Sequence, residues 1–155
     1  MAKKRAAPRK KKGRVPPPVC KAILLCQELI IEARSHHVSL INIFDTFQVP
    51  KFPGSTPPFK LFMQLVNGVG AYDITVEVRD LLEDKIVARA QICKLAFVDR
   101  EAKANVNLTV PAIPMSHPGV YEFVVFADEQ EIDRQRFIAS SPEGKDDASD
   151  QADQE

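Results

Sequence analysis

Apolar and polar residues alternate clearly between residues 118 and 139. After a Pro-Gly pair, apolar side chains recur at every second position, which is the spacing that places side chains on one face of a β-strand. These side chains are Tyr121, Phe123, Val125 and Ala127. A turn at residues 128–130 and a second run ending at Ala139 complete the pattern. We therefore predict a β-hairpin that contributes one face to a hydrophobic core.

Four segments in the middle of the chain show the same two-residue period and are predicted to be strands. They are residues 59–66, 71–79, 85–97 and 104–110. Polar residues fill the alternate positions of these segments, as expected for strands with one buried face. The segment from Pro50 to Pro58 contains four of the twelve prolines and is predicted to be a long surface loop.

Two apolar runs near the N-terminal end, residues 22–32 and 38–49, predict a further hairpin. The apolar phase of the first run changes at Gln27 and Glu28. A β-bulge at this point would return Leu29 and Ile31 to the core face, and we expect one there. A helix is the competing interpretation of the first run, but a hairpin accounts for both runs together.

Eight short strands separated by turn residues predict an all-β domain. We expect an immunoglobulin-like antiparallel β-sandwich of about eight strands, with a β-barrel as the alternative. The Pro118-Gly119 corner supports the sandwich, because it is followed by Tyr121. In sandwiches of that type a tyrosine hydroxyl at such a corner binds backbone a few residues upstream.

The two ends of the chain differ in composition from the middle. Residues 1–18 are basic and end in three prolines, whereas residues 140–155 are acidic, and both contain almost no apolar surface to bury. We therefore expect residues 1–18 to be a disordered basic arm, residues 19–139 to be the β-sandwich domain and residues 140–155 to be a disordered acidic tail. The 21 basic and 21 acidic residues cancel in number, but the two signs concentrate at opposite ends of the sequence.

Cysteine usage and hydropathy predict a cytoplasmic protein. The three cysteines, Cys20, Cys26 and Cys93, are odd in number and match no metal-binding spacing, which disfavours a disulfide framework. The apolar run at residues 22–31 is interrupted by Gln27 and Glu28 and is unlike a signal peptide. No stretch approaches the ~20 apolar residues of a membrane helix, so we expect no membrane association.

Three stretches of the chain together resemble an uncharacterised bacterial family of single-domain β proteins. They are Leu24-Leu-Cys-Gln-Glu28, Ser39-Leu-Ile-Asn-Ile-Phe-Asp45 and Pro118-Gly-Val-Tyr121. The resemblance covers about residues 20–139 and implies the fold of a single β domain. The resemblance implies no activity, because no function is established for that family.

The residue types that carry catalysis or bind metals are not arranged in a recognisable motif. His36 and His37 are adjacent on the chain, so they point to opposite sides of a strand and are poorly placed to share a metal with His117. The cysteines lack a local motif that pairs them with a base. Asp45, Asp80 and Asp99 lie near predicted strand ends, where calcium ligands and ordinary turn residues both occur. We expect neither an enzyme nor a bound cofactor or metal.

The strongest electrostatic feature is a group of eight cations within the first fourteen residues: Lys3, Lys4, Arg5, Arg9, Lys10, Lys11, Lys12 and Arg14. Such a group binds phosphate backbones without reading sequence. It contains no aromatic residue for base stacking. A nucleic-acid-associated accessory protein that uses this arm is therefore the alternative function, beside a solvated tail or a tail that pairs with the acidic C-terminal residues.

A set of apolar side chains on the phase opposite the predicted core favours a protein-binding surface: Phe62, Val66, Val124 and Phe126. Solvent-facing strand positions normally carry polar residues. Contiguous outward apolar residues indicate either an interface or coverage by another part of the chain, such as residues 50–58. We predict a non-catalytic binding or protein-interaction module whose partner, another protein or a second copy, binds the sheet that carries the final hairpin.

Overall fold

The computed structural model describes residues 15–142, and all regular secondary structure in this range is β. All eight strands predicted from the sequence are present, together with three further strands of two or three residues. The strands are β1 (Val19–Ile31), β2 (Val38–Phe44), β3 (Thr46–Gln48), β4 (Gly54–Ser55), β5 (Phe59–Val66), β6 (Gly70–Asp80), β7 (Lys85–Phe97), β8 (Ala104–Val110), β9 (Pro114–Met115), β10 (Gly119–Ala127) and β11 (Gln130–Ser140).

The strands form two main sheets that pack face to face. The first sheet has the order β2-β1-β5-β8, and the second has the order β3-β11-β10-β6-β7. Every neighbouring pair is antiparallel except β3 and β11, which are parallel. Strands β4 and β9 form a separate small ladder, so part of the proline-rich loop is regular. The all-β fold class is confirmed, and the immunoglobulin-like subclass stays a prediction.

The core lies between the two main sheets and is rich in aromatic residues. Phe47, Phe59, Phe123 and Phe137 pack with ring centroids 4.8–5.9 Å apart. Each of these rings is at most 3% exposed. Full burial of such a side chain stabilises the fold by about 1.5–3 kcal/mol relative to leaving it in water. The alternating positions of the final hairpin supply the centre of this core, as predicted.

The corner before β10 has the predicted hydrogen bond. The Tyr121 hydroxyl donates to the backbone carbonyl of His117 at 2.7 Å. The Tyr121 ring is fully buried and stacks between the His117 imidazole and the Phe137 ring, at centroid distances of 5.5 and 5.6 Å. Pro118 and Gly119 turn the chain between these groups, and the positive φ of Gly119, 142°, is one that other residues rarely adopt.

The core phase predicted for the N-terminal hairpin is wrong. Ile23, Leu25 and Cys26 are the buried residues of β1, whereas Ile31 is 50% exposed. The register with β2 is continuous through Gln27 and Glu28, and the irregularity in β1 lies instead between Cys20 and Ala22, opposite β5. The reason is that β5 begins at Phe59 and its last pair with β1 is Cys26–Lys60, so that the sheet has no third strand beside the end of β1.

The two sides of the sandwich are closed differently. On one side the chain passes directly from the first sheet to the second between Phe44 and Thr46, and β3 continues beside β11. On the other side the edge strands are β7 and β8, which belong to different sheets. We call this second side the open seam.

The described chain begins and ends at opposite ends of the sandwich. Near its start, the Tyr72 hydroxyl donates to the Pro16 carbonyl at 2.9 Å, beside the first residues of β6. Near its end, Ser140 pairs with Gln48, and the carbonyl of Ser140 accepts from the Val49 amide at 2.8 Å. Since β11 runs away from the turn that contacts Asp73, its last residue lies at the other end of the second sheet.

Candidate functional site

The most prominent exposed feature is the far end of the first hairpin, residues 27–43, which we call the hairpin overhang. Strand β1 pairs with β5 only as far as Cys26, but it pairs with β2 as far as Ile31. The overhang is therefore a two-stranded ribbon that projects beyond the third strand of the sheet. None of its residues is buried.

Both faces of the hairpin overhang carry apolar side chains. One face presents Leu29, Ile31, Val38 and Leu40, and the other presents Ile30, Ile41 and Ile43. The four isoleucines are 41–57% exposed. A two-stranded ribbon is at best marginally stable in water without a third strand or a packed face. Apolar residues on both of its faces are thus more than the fold of this domain requires.

Polar contacts at the tip shape the ribbon. The Glu32 and His37 backbones are joined by a hydrogen bond of 2.9 Å, and the Glu32 carboxylate accepts from the Ser35 amide and hydroxyl. The hydrogen bonds from Ser35 lower the pKa of Glu32. Within β2, Asn42 has a positive φ of 54°, and its side-chain amide donates to Gln27 at 2.6 Å.

The four apolar residues predicted to form one partner surface lie on two different sheets. Phe62 and Val66 belong to β5 in the first sheet, whereas Val124 and Phe126 belong to β10 in the second. The prediction of a single surface is therefore wrong. Val124 is completely buried and Phe62 is only 9% exposed. The sequence does not show which strands lie beside β5 and β10, so it could not reveal that side chains of neighbouring strands cover these residues.

Arginine and glutamate side chains cover the outer face of the second sheet. Arg79 forms an ion pair of 2.9 Å with Glu77, and its guanidinium lies 5.7 Å from the centre of the Phe126 ring. Arg134 forms an ion pair of 2.9 Å with Glu122, the residue next to Val124 along the face. Glu77 and Glu122 are 4% and 3% exposed. Arginine side chains cover apolar surface while their charged ends stay in water.

A smaller group of exposed apolar residues lies at one end of the same sheet. Val120 pairs with Ile138, and the Leu81 amide donates to the Val120 carbonyl at 3.3 Å. These three residues are 37–44% exposed, and Leu82, in the adjoining turn, is 73% exposed. The group occupies the sheet predicted to bind a partner, but it involves none of the four residues predicted for that role.

Among residues 15–142, one group of potential metal ligands is close enough to share an ion: Asp80, Glu83 and His117. Both imidazole nitrogens of His117 face acceptors, Nε2 at 2.5 Å from the Asp80 carboxylate and Nδ1 at 2.8 Å from the Pro118 carbonyl. An imidazole donates in both directions only when it is protonated, and a protonated imidazole has no lone pair for a metal. The geometry is that of a His–Asp ion pair.

The environment of this ion pair favours the charged forms of both partners. Hydrogen bonds to the Pro118 carbonyl and to Asp80 raise the pKa of His117. Burial alone raises the pKa of Asp80, but hydrogen bonds from the Glu83 amide, His117 and the Leu82 amide outweigh it, and the pKa lies below its usual value. His36 and His37 are exposed residues in the hairpin turn and are not part of this group.

The cysteines lie in environments that favour the thiol over the thiolate. Burial, followed by the charge of Asp133, raises the pKa of Cys20 to about 12. Burial also raises the pKa of Cys26 and Cys93. Because the thiolate is the nucleophile, these environments are those of packing residues.

The eight cations predicted to bind nucleic acid lie outside the described residues. Within residues 15–142 there is no helix long and apolar enough to cross a membrane.

Solved structures with a similar arrangement are distant and of several kinds. The alkylpurine DNA glycosylase AlkC of Pseudomonas fluorescens, solved with DNA, matches 63% of this chain at 8% identity and a TM-score of 0.49, over 28% of its own length. A β-glucosidase from Listeria innocua matches 77% of this chain at 10% identity and a TM-score of 0.42, over 16% of its length. The CARDB domain of the PF1109 protein of Pyrococcus furiosus, solved with two metal ions, matches 82% of this chain at 12% identity and a TM-score of 0.36, over 90% of its length.

The sequence, unlike these structural similarities, assigns the chain to a family. The chain spans under a third of the first two of these proteins, and the similarity extends to no activity. No functionally curated protein matches the sequence. The profile of one family matches residues 21–140, which is the region expected from the three resembling stretches. The chain therefore belongs to DUF6941, a family of unknown function.

Proposed function

We propose that this domain is a non-catalytic protein-interaction module that binds its partner through the hairpin overhang. The observation that supports this is the uncovered ribbon, in which apolar side chains occupy both faces and no residue is buried. Exposed contiguous apolar surface of this kind marks interaction sites in soluble proteins. Full burial of one exposed isoleucine contributes about 1.5–3 kcal/mol.

The shape of the ribbon restricts the kind of partner. Because both faces are apolar, a flat partner surface would cover only one of them. Strand β2 is also an edge strand, since among the described residues it pairs only with β1. A partner that adds a strand to β2 satisfies its free edge and can pack against one face, whereas a partner that encloses the ribbon in an apolar groove covers both faces.

The test compares two serine variants of the tagged full-length chain. Ile31→Ser combined with Ile43→Ser removes one exposed apolar side chain from each face of the overhang, and Leu82→Ser removes a still more exposed one elsewhere. Surface substitutions of this kind change the stability by about 0.5 kcal/mol or less. We expect both variants to melt like the wild type and only the overhang variant to lose the proteins captured from the cell of origin, or to lose self-association. Equal capture by the wild type and the overhang variant would refute the proposal.

We further propose that the protein works in a reducing compartment, the cytoplasm. The three cysteines are free thiols, and disulfides persist mainly in oxidising compartments. The second candidate function, nucleic-acid association through the basic arm, is supported by the density of cations before Val15. The two functions use different parts of the chain and are tested separately.

A further inference from the structure

The open seam contains an apolar cleft of about 290 Å³ between the edge strands of the two sheets. Its floor is formed by core residues, including Leu61 and Phe123. Its walls are Ala88 and Ala90 on β7 and Leu108 on β8. The cleft exists because the inward positions of β7 are alanines at this level, so that their side chains do not reach across to β8. Its volume is roughly ten times the ~30 Å³ that one water molecule occupies in the liquid.

The backbone beside this cleft is also without a partner. Strand β7 is 13 residues long, and among the described residues it pairs only with β6. Its other edge therefore presents a row of amide and carbonyl groups that an added strand satisfies. An edge strand beside an apolar cleft is the arrangement in which backbone hydrogen bonds supply affinity and alternate side chains supply specificity.

We propose that the partner of the hairpin overhang is a second copy of this chain, in which β2 of one copy adds to the free edge of β7 in the next. This inference rests on the proposed function. The described chain contains both halves of the contact: a projecting edge strand with apolar side chains, and a long edge strand beside an apolar cleft. Because the overhang extends beyond the body of its own domain, β2 reaches the side of another copy without the two bodies overlapping.

The faces of the ribbon determine how it is seated. Val38 and Leu40 share a face that is apolar on both strands, with Ile31 and Leu29 beside them, and this face enters the cleft. The other face carries Glu28 opposite Ile41. It continues the outer face of the second sheet, where Arg89 is 57% exposed and lies 3.5 Å from Glu77. The strand order is then β7-β2-β1, so Glu28 lies two strand spacings, roughly 9.5 Å, from β7 on the face that carries this guanidinium.

This contact joins two different surfaces, so a single contact between two copies is heterologous. A dimer held by one such contact keeps one unused seam, on the copy that gave its overhang, and one unused overhang, on the other copy. Heterologous contacts of this kind continue into a ring or an open chain of copies. Such association therefore produces species larger than a dimer, whereas a two-fold dimer produces none.

The experiment uses two full-length variants, each blocked at one surface. Leu40→Lys places a charge on the seam-facing side of the overhang, and Ala90→Lys places a charge in the cleft. Ala90→Glu serves as a second seam variant, and thermal melting shows that each is folded. In sedimentation velocity over a concentration series, we expect the wild type to grow beyond a dimer. Each variant alone should associate at least about tenfold more weakly, which corresponds to ~1.4 kcal/mol.

A mixture of the two variants gives the decisive result. The intact overhang of Ala90→Lys fits the intact seam of Leu40→Lys, so we expect 1:1 dimers and nothing larger. A wild type that is monomeric at all concentrations, or a mixture that behaves as the sum of its parts, would overturn the inference. Self-association lost in Leu40→Lys but unchanged in both seam variants would also overturn it, while leaving the overhang as an interaction site for another surface.

Discussion

Removal of the His117 side chain is expected to destabilise the domain strongly. His117 links two connections at the same end of the sandwich, because its imidazole binds the carboxylate of Asp80, the last residue of β6, and the Pro118 carbonyl before β10. Asp80 in turn accepts hydrogen bonds from the Leu82 and Glu83 amides at 2.9 and 3.2 Å, and so shapes the turn into β7. We take His117→Ala as the perturbation and His117→Gln, which retains an uncharged donor, as the matched variant.

The magnitude follows from burial. The Asp80 side chain is fully buried and that of His117 is 17% exposed, so loss of the imidazole leaves a buried carboxylate without its counterion. Breaking a buried ion pair by removal of one partner costs about 3–5 kcal/mol. For a chain of this size, each kcal/mol lowers the melting temperature by roughly 2–4 °C. We therefore expect His117→Ala to melt roughly 6–20 °C below the wild type at pH 6.

The effect should depend on pH with a defined sign. The pKa of His117 is raised in the folded state, so its contribution is complete below the unfolded value of about 6.5 and is lost as the pH rises through the folded pKa. The pKa of Asp80 is lowered, so its contribution is complete above about 3.9 and is lost as the pH falls through the folded pKa. The nearby Lys85 and Tyr121 have raised pKa values and keep their protons throughout this range.

The assay is thermal denaturation followed by circular dichroism at pH 5, 6, 7, 8 and 9. We expect the difference between wild type and His117→Gln to be large at pH 6 and to shrink as the pH rises through the raised folded pKa of His117. The double variant Asp80→Asn/His117→Gln should lose less stability than the sum of the losses in the two single variants, because the two residues act as a pair. A difference that is constant with pH, or a loss below 1 kcal/mol in His117→Ala at pH 6, would refute the ion-pair description.

Three further predictions concern other parts of the chain. Phe62→Ser should lower the free energy of unfolding by about 3 kcal/mol in urea denaturation, because the ring is buried; unchanged stability would restore it as a surface residue. Folded protein should react slowly with iodoacetamide at pH 8 and denatured protein rapidly, as mass spectrometry would show, because Cys20 and the other thiols stay protonated. Binding to duplex DNA, measured by fluorescence anisotropy, should fall steeply with salt and vanish when residues 1–14 are deleted; binding that survives the deletion would place the site in the β domain.

Local alternation was enough to predict the strands, because that information lies within each segment. The inward phase of β10 at Tyr121 and Phe123 was correct, and so was the hydrogen bond at the His117 corner. The proline-rich loop was also located, although its two-residue ladder with β9 was not. That ladder depends on Met115, a partner distant in sequence.

The errors all concern which strand lies beside which. The assignment of Leu29 and Ile31 to the core assumed that the sheet continues beside the end of β1, and only the pairing with β5 reveals that it stops at Cys26. The exposed phase of β10 was expected to be open, but Arg134 and Arg79 reach it from neighbouring strands. The hairpin overhang was therefore missed as a candidate site, although its apolar residues were visible in the sequence.

The positions of Pro16 and Ser140 at opposite ends of the sandwich have a practical consequence for labelling. A fluorescent protein or affinity tag joined directly to Val15, in a variant without residues 1–14, would be attached at the end marked by the Tyr72 hydroxyl. The hairpin overhang projects from the other end, since β1 runs 13 residues from Val19 to Ile31, about 40 Å at 3.3 Å per residue. A fusion directly after residue 142, in a variant without residues 143–155, would instead be attached at the end from which the overhang projects. Capture and imaging experiments on the overhang should therefore carry their tags at the N-terminus.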